Sequence, residues 1–592
     1  MKLLFTFLLG LLGLRSLAQT GVAVPALAPC DATMQQFMQR WKVLGASVAL
    51  AKDDKLVYER AFGYADVART TPMQPYHLLR VASLSKTVTA LAIMKLVEEG
   101  KINLSHPVFG PQGYLGATAY TQEIRDARLY RITVQQLLEH TAGWDRSVGC
   151  DGYGACDPVE FPTHVAAVMG VANPVGDSTL IRYMLRQGLN FEPGTRFAYS
   201  NTGYLVLGKV LEAVTHQPYE AWVRQHVLQP SGVLEAHLGR NLPAARHERE
   251  SAYQSAYCLP SCYDPAQQVP AANGGYQVEA MNAHGGWLFS ARDLVRLVVA
   301  TDSLASRAPL LATATLRSMT EPSAMNTYYA KGWMVSGGTW WHTGCLDGSA
   351  SLLMRTADGY TWAILLNTNN SSTQFWQELT ALGGKWRTAI KSWPTHDLFA
   401  PEQAAHTVQA SVRSASPTHL TWAAGSGTHR LVLLKADSPS TAFPVDGTTY
   451  RVASTLADGT RIVAIERGTS AWLPPLDPQH TYYARVVEYR QDATTGHHPV
   501  YTLEGSPPVV LGPISNAQQM LALDTKPTRN KWHLGSALAS LFSKGPRPQG
   551  QLVAQGPSTS ENATLAQPLP SRATLPRMQE ASRKSVWPFT KH

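Results

Sequence analysis

The apolar positions of this chain change period more than once, and each change marks an element. From Gly45 to Asp66 they alternate, Ala-Ser-Val-Ala-Leu-Ala-Lys, then Asp53-Asp54, then Lys-Leu-Val-Tyr-Glu-Arg-Ala-Phe-Gly, which predicts a β-hairpin. After Ser83 the residues Val88, Leu91, Ala92, Met94, Leu96 and Val97 recur at mixed three- and four-residue spacing. That pattern predicts a largely buried helix, stopped near Gly100. From about residue 101 to 320 helical patterns alternate with long Gly- and Pro-rich loops. Strand-like runs return at Gly332-Trp-Met-Val-Ser, Thr339-Trp-Trp-His, Ser349-Ala-Ser-Leu-Leu-Met and Tyr360-Thr-Trp-Ala-Ile-Leu-Leu-Asn. Strands and a helix first, helices in the middle and strands last predict an α+β sheet with a helical region inserted between its parts.

The pattern changes again near Pro401. Beyond it come short, alternating, turn-bounded runs: Thr418-His-Leu-Thr-Trp, Arg430-Leu-Val-Leu-Leu-Lys, Arg461-Ile-Val-Ala-Ile-Glu and Tyr482-Tyr-Ala-Arg-Val-Val-Glu-Tyr. They predict a separate all-β sandwich. From Gly512 to His592 Pro, Ser, Gln and basic residues dominate with little periodicity, which reads as a disordered or attachment tail.

Composition refines this picture without redirecting it. A chain of 592 residues with 44% hydrophobic and 16% charged side chains suits two or three globular units. The net charge of +9 comes mostly from the tail, where Lys and Arg outnumber Asp and Glu roughly ten to three. The main body has no basic stripe interleaved with aromatics, so no nucleic-acid partner is expected. Lys2, the apolar run Leu3 to Leu14 and the small-residue site Ser16-Leu17-Ala18 read as an export signal over residues 1–18. The run is too short to span a bilayer comfortably, and no transmembrane segment is expected in the mature chain. The product is expected to be periplasmic or extracellular.

Export makes disulfides admissible. Cys150 with Cys156, and Cys258 with Cys262, stand close enough to clip local loops, leaving Cys30 and Cys345; fifteen pairings are open to six cysteines. No histidine pair stands at ligand spacing beside them, so zinc is not favoured, and no cofactor is expected.

Candidate chemistry lies in Ser83-Leu-Ser-Lys86. Three residues apart on one helix, the Lys86 amine can approach the Ser83 hydroxyl, and a partly desolvated lysine can activate a serine. Two more short motifs follow in order, Tyr199-Ser-Asn201 before an apolar helix and His342-Thr343-Gly344-Cys345 at the end of a strand-like run. Each alone is an ordinary loop or turn. Together they carry weight.

On these three motifs the chain resembles the serine β-lactamase and penicillin-binding-protein family, nearest the class C-like branch with D,D-carboxypeptidases and esterases. Ile132-Thr-Val-Gln-Gln-Leu-Leu-Glu-His-Thr-Ala-Gly143 and Gly285-Gly-Trp-Leu-Phe-Ser-Ala-Arg-Asp-Leu294 also look like family signatures, and the likeness runs from roughly Asp31 to Lys391. It implies an antiparallel sheet flanked by helices over residues 31–395. It also implies Ser83 as the acylated nucleophile, Lys86 and Tyr199 sharing its proton, and Asn201 bonding Lys86 or the substrate amide. The backbone N–H groups of Ser83 and Cys345 are implied as the oxyanion hole, with His342, Thr343 and Gly344 lining the substrate strand.

Where class C β-lactamases carry lysine this chain has His342, mostly neutral at pH 7. That departure favours a hydrolase of peptides, small amides or esters, with cell-wall material among its possible partners, over a β-lactamase or a silent binding protein. Cys345 stands where Gly or Ser is common. Residues 403–511 resemble a fibronectin type III module through Trp422, Pro444-Val-Asp-Gly-Thr-Thr-Tyr450 and Leu476-Asp-Pro-Gln-His-Thr-Tyr482, with Tyr482 in its corner position.

Overall fold

In a computed structural model the described residues are 18–301, 309–399, 412–415, 419–425, 427–477, 479–491, 499–503 and 508–511. Residues 1–17, nearly all of the expected export signal at 1–18, and residues 512–592, the expected tail, lie outside them.

The alternating segments pair as one seven-stranded antiparallel sheet. Its strands are β1 (Gln19–Gly21), β2 (Gly45–Lys52), β3 (Lys55–Gly63), β4 (Met334–Ser336), β5 (Thr339–Leu346), β6 (Ser349–Arg355) and β7 (Tyr360–Leu366), in the order β1-β3-β2-β7-β6-β5-β4. The β2–β3 turn puts Asp53 and Asp54 at φ 48° and 66°. Two left-handed residues match the right-handed twist of a tight hairpin, and Asp tolerates that region better than most side chains.

The early and late strands meet in the middle of this sheet, since β2 pairs with β7, Ala49 opposite Ala363. On one face lie α1 (Ala28–Trp41) and the last helix before the sandwich, Thr373–Ala389, over a core of Phe37, Leu50, Trp362, Phe375 and Trp386. A side chain at Gly383 would sit 2.2 Å from the Trp362 ring, so glycine lets that helix lie flat on the indole.

The other face is covered by α2 (Ser85–Glu98), α3 (Asn201–Thr215) and α4 (Ala291–Thr301), with the intervening helices and loops. From Ser85 to Met94 every residue of α2 is buried, so this helix runs through the interior. Its threonines meet their needs there: Thr87 Oγ1 donates to the Gly332 carbonyl at 2.9 Å and Thr89 Oγ1 to the Ala283 carbonyl at 2.6 Å.

The C-terminal region is β-rich, as its alternation predicts. Strands 412–415, 419–422 and 470–472 form one sheet; 461–466, 429–436, 482–491 and 499–502 form another, with 509–511 also on 482–491. Leu420, Trp422, Val432, Leu434 and Val486 pack in one core cluster. This region sits against the first. Phe443, 3% exposed, has the Tyr76 ring at 5.6 Å and the Arg485 guanidinium at 4.8 Å, and Arg292 pairs with both Glu59 and Asp446.

No helix among the described residues is long and apolar enough to cross a membrane.

Candidate active site

The buried helix does not begin at Ser83, as its pattern suggests. A 3-10 turn, Ala82–Leu84, precedes α2, and Ala82 takes φ 47°. A non-glycine residue in the left-handed region costs about 1 kcal/mol or more, so surrounding contacts must hold this turn. Those contacts are visible. Ser351 Oγ donates to the Val81 carbonyl at 2.8 Å, Ser349 Oγ donates to the Arg80 carbonyl, and the Val81 N–H donates to Trp287 O at 3.0 Å. Between Val81 and Met94, Ser83 alone keeps part of its surface open.

Strand β5 is pressed against this turn. A Cβ on Gly344 would lie 2.0 Å from the Val81 carbonyl oxygen and 2.3 Å from Ser351 Oγ, so no larger residue fits the observed spacing. The small residue noted in His342-Thr-Gly344 is what lets a strand edge run beside the serine.

At the second position of α2, Lys86 Nζ donates to Ser83 Oγ at 3.1 Å and to the His284 carbonyl at 2.8 Å. Burial, then the nearby Arg146 cation, hold this amine well below the usual lysine range, against the pull of Asp157. Tyr199 comes from the residue before the α3 cap, and the Lys86 ammonium lies 4.9 Å from its ring centroid. Burial pushes the Tyr199 phenol up; a hydrogen bond with Ser83 and the Arg146 charge pull it back. Ser200, the middle residue of Tyr-Ser-Asn, is the helix cap, its Oγ accepting from Gly203 N at 3.4 Å.

Of the two partners expected for Asn201, Lys86 is not the one its amide hydrogen meets here. Its Nδ2 donates to Asp157 Oδ2 at 2.5 Å, and neither Lys86 nor a backbone group receives that hydrogen. A carboxylate only accepts, so the amide cannot be flipped, and Asn201 Oδ1 stays buried without a partner.

His342 is buried and both its ring nitrogens are used. Ser200 N–H donates to His140 Nδ1 at 3.2 Å, His140 Nε2 lies 3.1 Å from the Tyr329 hydroxyl, and that hydroxyl lies 3.3 Å from His342 Nε2. His342 Nδ1 is 2.7 Å from the Thr343 carbonyl and must donate to it, so Nε2 accepts, Tyr329 donates and His140 Nε2 carries hydrogen. The chain of bonds has one direction and no charge. Burial and the Lys86 charge push His342 down to about 3, and burial holds His140 and His284 well below the usual range too. Thr343 keeps partial exposure and Cys345 is exposed.

The cysteines divide differently from expectation. Cys150 and Cys156 are joined, whereas Cys30, Cys258, Cys262 and Cys345 are unbridged. The Cys258–Cys262 clip does not form because Cys258 is exposed on a hairpin strand while the Cys262 thiol is buried toward Tyr276 O. Cys345 receives a hydrogen bond from Asn369 Nδ2 at 3.2 Å; although the residue keeps exposed surface, desolvation raises the pKa of its thiol. Among the described residues no three His, Cys, Asp or Glu side chains gather to hold a metal ion.

Ser83, Lys86 and Tyr199 therefore converge from distant parts of the chain, with Gly344 and Cys345 on the adjoining strand. Arg146, Asp157, Tyr329, Ser349 and Ser351 joined no motif in the sequence; His140 stood inside Ile132–Gly143 without an assigned part.

A family model described as Beta-lactamase matches residues 30–384, more than half of the chain. Protein flp of Staphylococcus aureus (strain MW2) is 29% identical over 200 residues, 34% of this chain and 36% of that one. Esterase EstB of Burkholderia gladioli is 31% identical over 220 residues, 36% of this chain and 51% of its own. The chain thus spans between a third and about half of the length of these two relatives. Among solved structures, D-amino acid amidase from Ochrobactrum anthropi SV3 with D-phenylalanine aligns with TM-score 0.48 and 20% identity, covering 62% of this chain and 100% of that one.

Proposed function

The chain belongs to the Beta-lactamase family and has an α+β fold with an antiparallel sheet and flanking helices, and from that premise we propose an exported serine hydrolase that forms an acyl-enzyme on Ser83 and cleaves a peptide, amide or ester bond. The observation that carries this reading is the 3.1 Å approach of Lys86 Nζ to Ser83 Oγ, with the amine desolvated and the Tyr199 phenol on the same hydroxyl. An amine held below its usual range spends more time neutral, and a neutral amine can take a proton.

Ser83 Oγ attacks the carbonyl carbon as its proton passes to the Lys86–Tyr199 pair. The negative charge that develops on the carbonyl oxygen is met by the backbone N–H groups of Ser83 and Cys345, each typically worth about 3 kcal/mol in the transition state. The close seating of Gly344 on Val81 supports this pairing of segments. Collapse of the adduct expels the amine or alcohol, which takes the proton back. Water, its proton accepted by Tyr199, then releases the acid and restores Ser83. Thr343, Gly344 and the Asn201 side chain border the path of the substrate, and His342 braces the strand from beneath.

A neutral His342 offers no permanent cation to a β-lactam carboxylate, which favours a D,D-peptidase- or esterase-like substrate. A family relative named as an esterase fits the same reading. The set Ser83, Lys86 and Tyr199 has no use in a silent binding protein. Cell-wall peptide is a natural substrate class for an exported enzyme of this kind.

Export rests on the leader at 1–18, and the Cys150–Cys156 bond is compatible with it. Residues 31–395 then form the hydrolase, 403–511 a fibronectin type III-like module and 512–592 a basic tail. The Asp477 N–H donates to the Tyr482 hydroxyl at 3.3 Å, which supports the corner tyrosine of that module.

The test is covalent labelling by a tagged penicillin and turnover of a chromogenic acetate ester by the full chain. Both are expected, and both are lost in Ser83→Ala; turnover surviving in that variant overturns the reading. Tyr199→Phe is expected to lower kcat by at least about 100-fold with KM changed far less.

A further inference from the structure

We propose that Arg146 and Asp157, brought in at the two ends of the Cys150–Cys156 loop, are an oppositely charged positioning pair that tunes the base serving Ser83. The inference rests on the hydrolase reading above and names two residues which that reading leaves without a part.

The geometry is compact. The Arg146 guanidinium lies 5.0 Å from the centroid of the Tyr199 ring, the ring that also faces Lys86 Nζ at 4.9 Å. Arg146 Nη1 is 3.7 Å from Asp157 Oδ2, and that same oxygen accepts the Asn201 amide at 2.5 Å. One carboxylate oxygen thus ties the guanidinium over Tyr199 to the side chain of Asn201, two residues further on. The loop ends are joined by backbone as well, Cys156 N–H donating to Arg146 O at 2.9 Å. The Asp157 side chain is 3% exposed and that of Arg146 27%, so water screens their charges incompletely.

Apart from Glu160, the other titratable groups around Lys86 and Tyr199 carry little charge near neutral pH. His140, His284 and His342 are kept neutral by burial, as are the Tyr204 and Tyr329 phenols, and burial raises the Cys345 thiol. Glu160, near Asp157, keeps exposed surface; desolvation and then the Asp157 charge push it up to about 7, so it titrates within the assayed range. A guanidinium beside the pair favours a neutral amine on Lys86 and a phenolate on Tyr199, and Asp157 disfavours both. The sign is therefore independent of which group holds the proton.

Removing the cation must move the rising limb of activity to higher pH, and removing the anion must move it lower. The measurement is kcat/KM of the full chain for a chromogenic acetate ester from about pH 5 to about pH 10. Arg146→Gln is expected to shift the limb up by about half to one unit and Asp157→Asn to shift it down by a similar amount. Arg146→Lys keeps the charge and is expected to keep the limb, which separates lost charge from lost packing should Arg146→Gln fold poorly. Limbs that stay put, or move the same way in both variants, overturn the proposal. So does a limb that vanishes in Glu160→Gln, because it then belongs to that carboxyl. If Ser83→Ala retains the activity, the hydrolase reading has failed instead, and the two failures are told apart.

Discussion

His342 shows what burying one imidazole demands. Its Nδ1 gives a hydrogen to Thr343 O and its Nε2 takes one from Tyr329, so a second ring proton would have to displace the hydrogen that Tyr329 donates. Burial lowers its pKa to about 3, far below the ordinary histidine range. The unfolded chain takes up that proton first as pH falls, so the stabilisation is complete above about pH 6.5 and is lost on acidification toward 3. The thermal midpoint is therefore expected to fall between about pH 6.5 and about pH 4, and His342→Asn, less stable at neutral pH, is expected to lose less over that interval. Calorimetry across pH checks both slopes. Ser83 and Lys86 were legible because a helix turn brings residues three apart together. Arg146 and Asp157 were not, because a loop pair has no period and either reads as a solvated surface charge.

Elements depend on how closely they can approach. Gly344→Ala is expected to cost at least about 100-fold in kcat/KM, since the new methyl would meet Val81 O at 2.0 Å and push β5 away from the serine turn. Steady-state kinetics beside a melting curve separates this from unfolding. The loop closed by Cys150–Cys156 gives a second expectation: Cys150→Ser with Cys156→Ser lowers stability by about 2 kcal/mol through restored loop entropy. It also lowers kcat more than KM, because the loop is flanked by Arg146 and Asp157, which touch Tyr199 and Asn201. Denaturant titration and kinetics of the double variant check the pair. The β2–β3 hairpin and the strands at 339–366 were plain from alternation and turn residues. The Cys258–Cys262 clip misled, because spacing says how near two thiols can come and nothing of where they point.

At the level of the whole molecule, the composition change near Pro401 announced a β-rich region but not its seat. The seating residues, Phe443 and Asp446, fall in a turn-rich stretch whose pattern reads as loop, so their burial was invisible in one dimension. Replacing Arg292 by Ala is expected to destabilise the chain by about 3–5 kcal/mol, since Glu59 and Asp446 would be left as two largely buried carboxylates without their shared cation; chemical unfolding measures it. Phe443 and the Arg292 set also imply that the peptide link is not what keeps the hydrolase-like region and the β-rich region together. A protease site engineered into residues 400–411 and then cut should yield two polypeptides that still elute as one particle on gel filtration, and Phe443→Ala should let them drift apart.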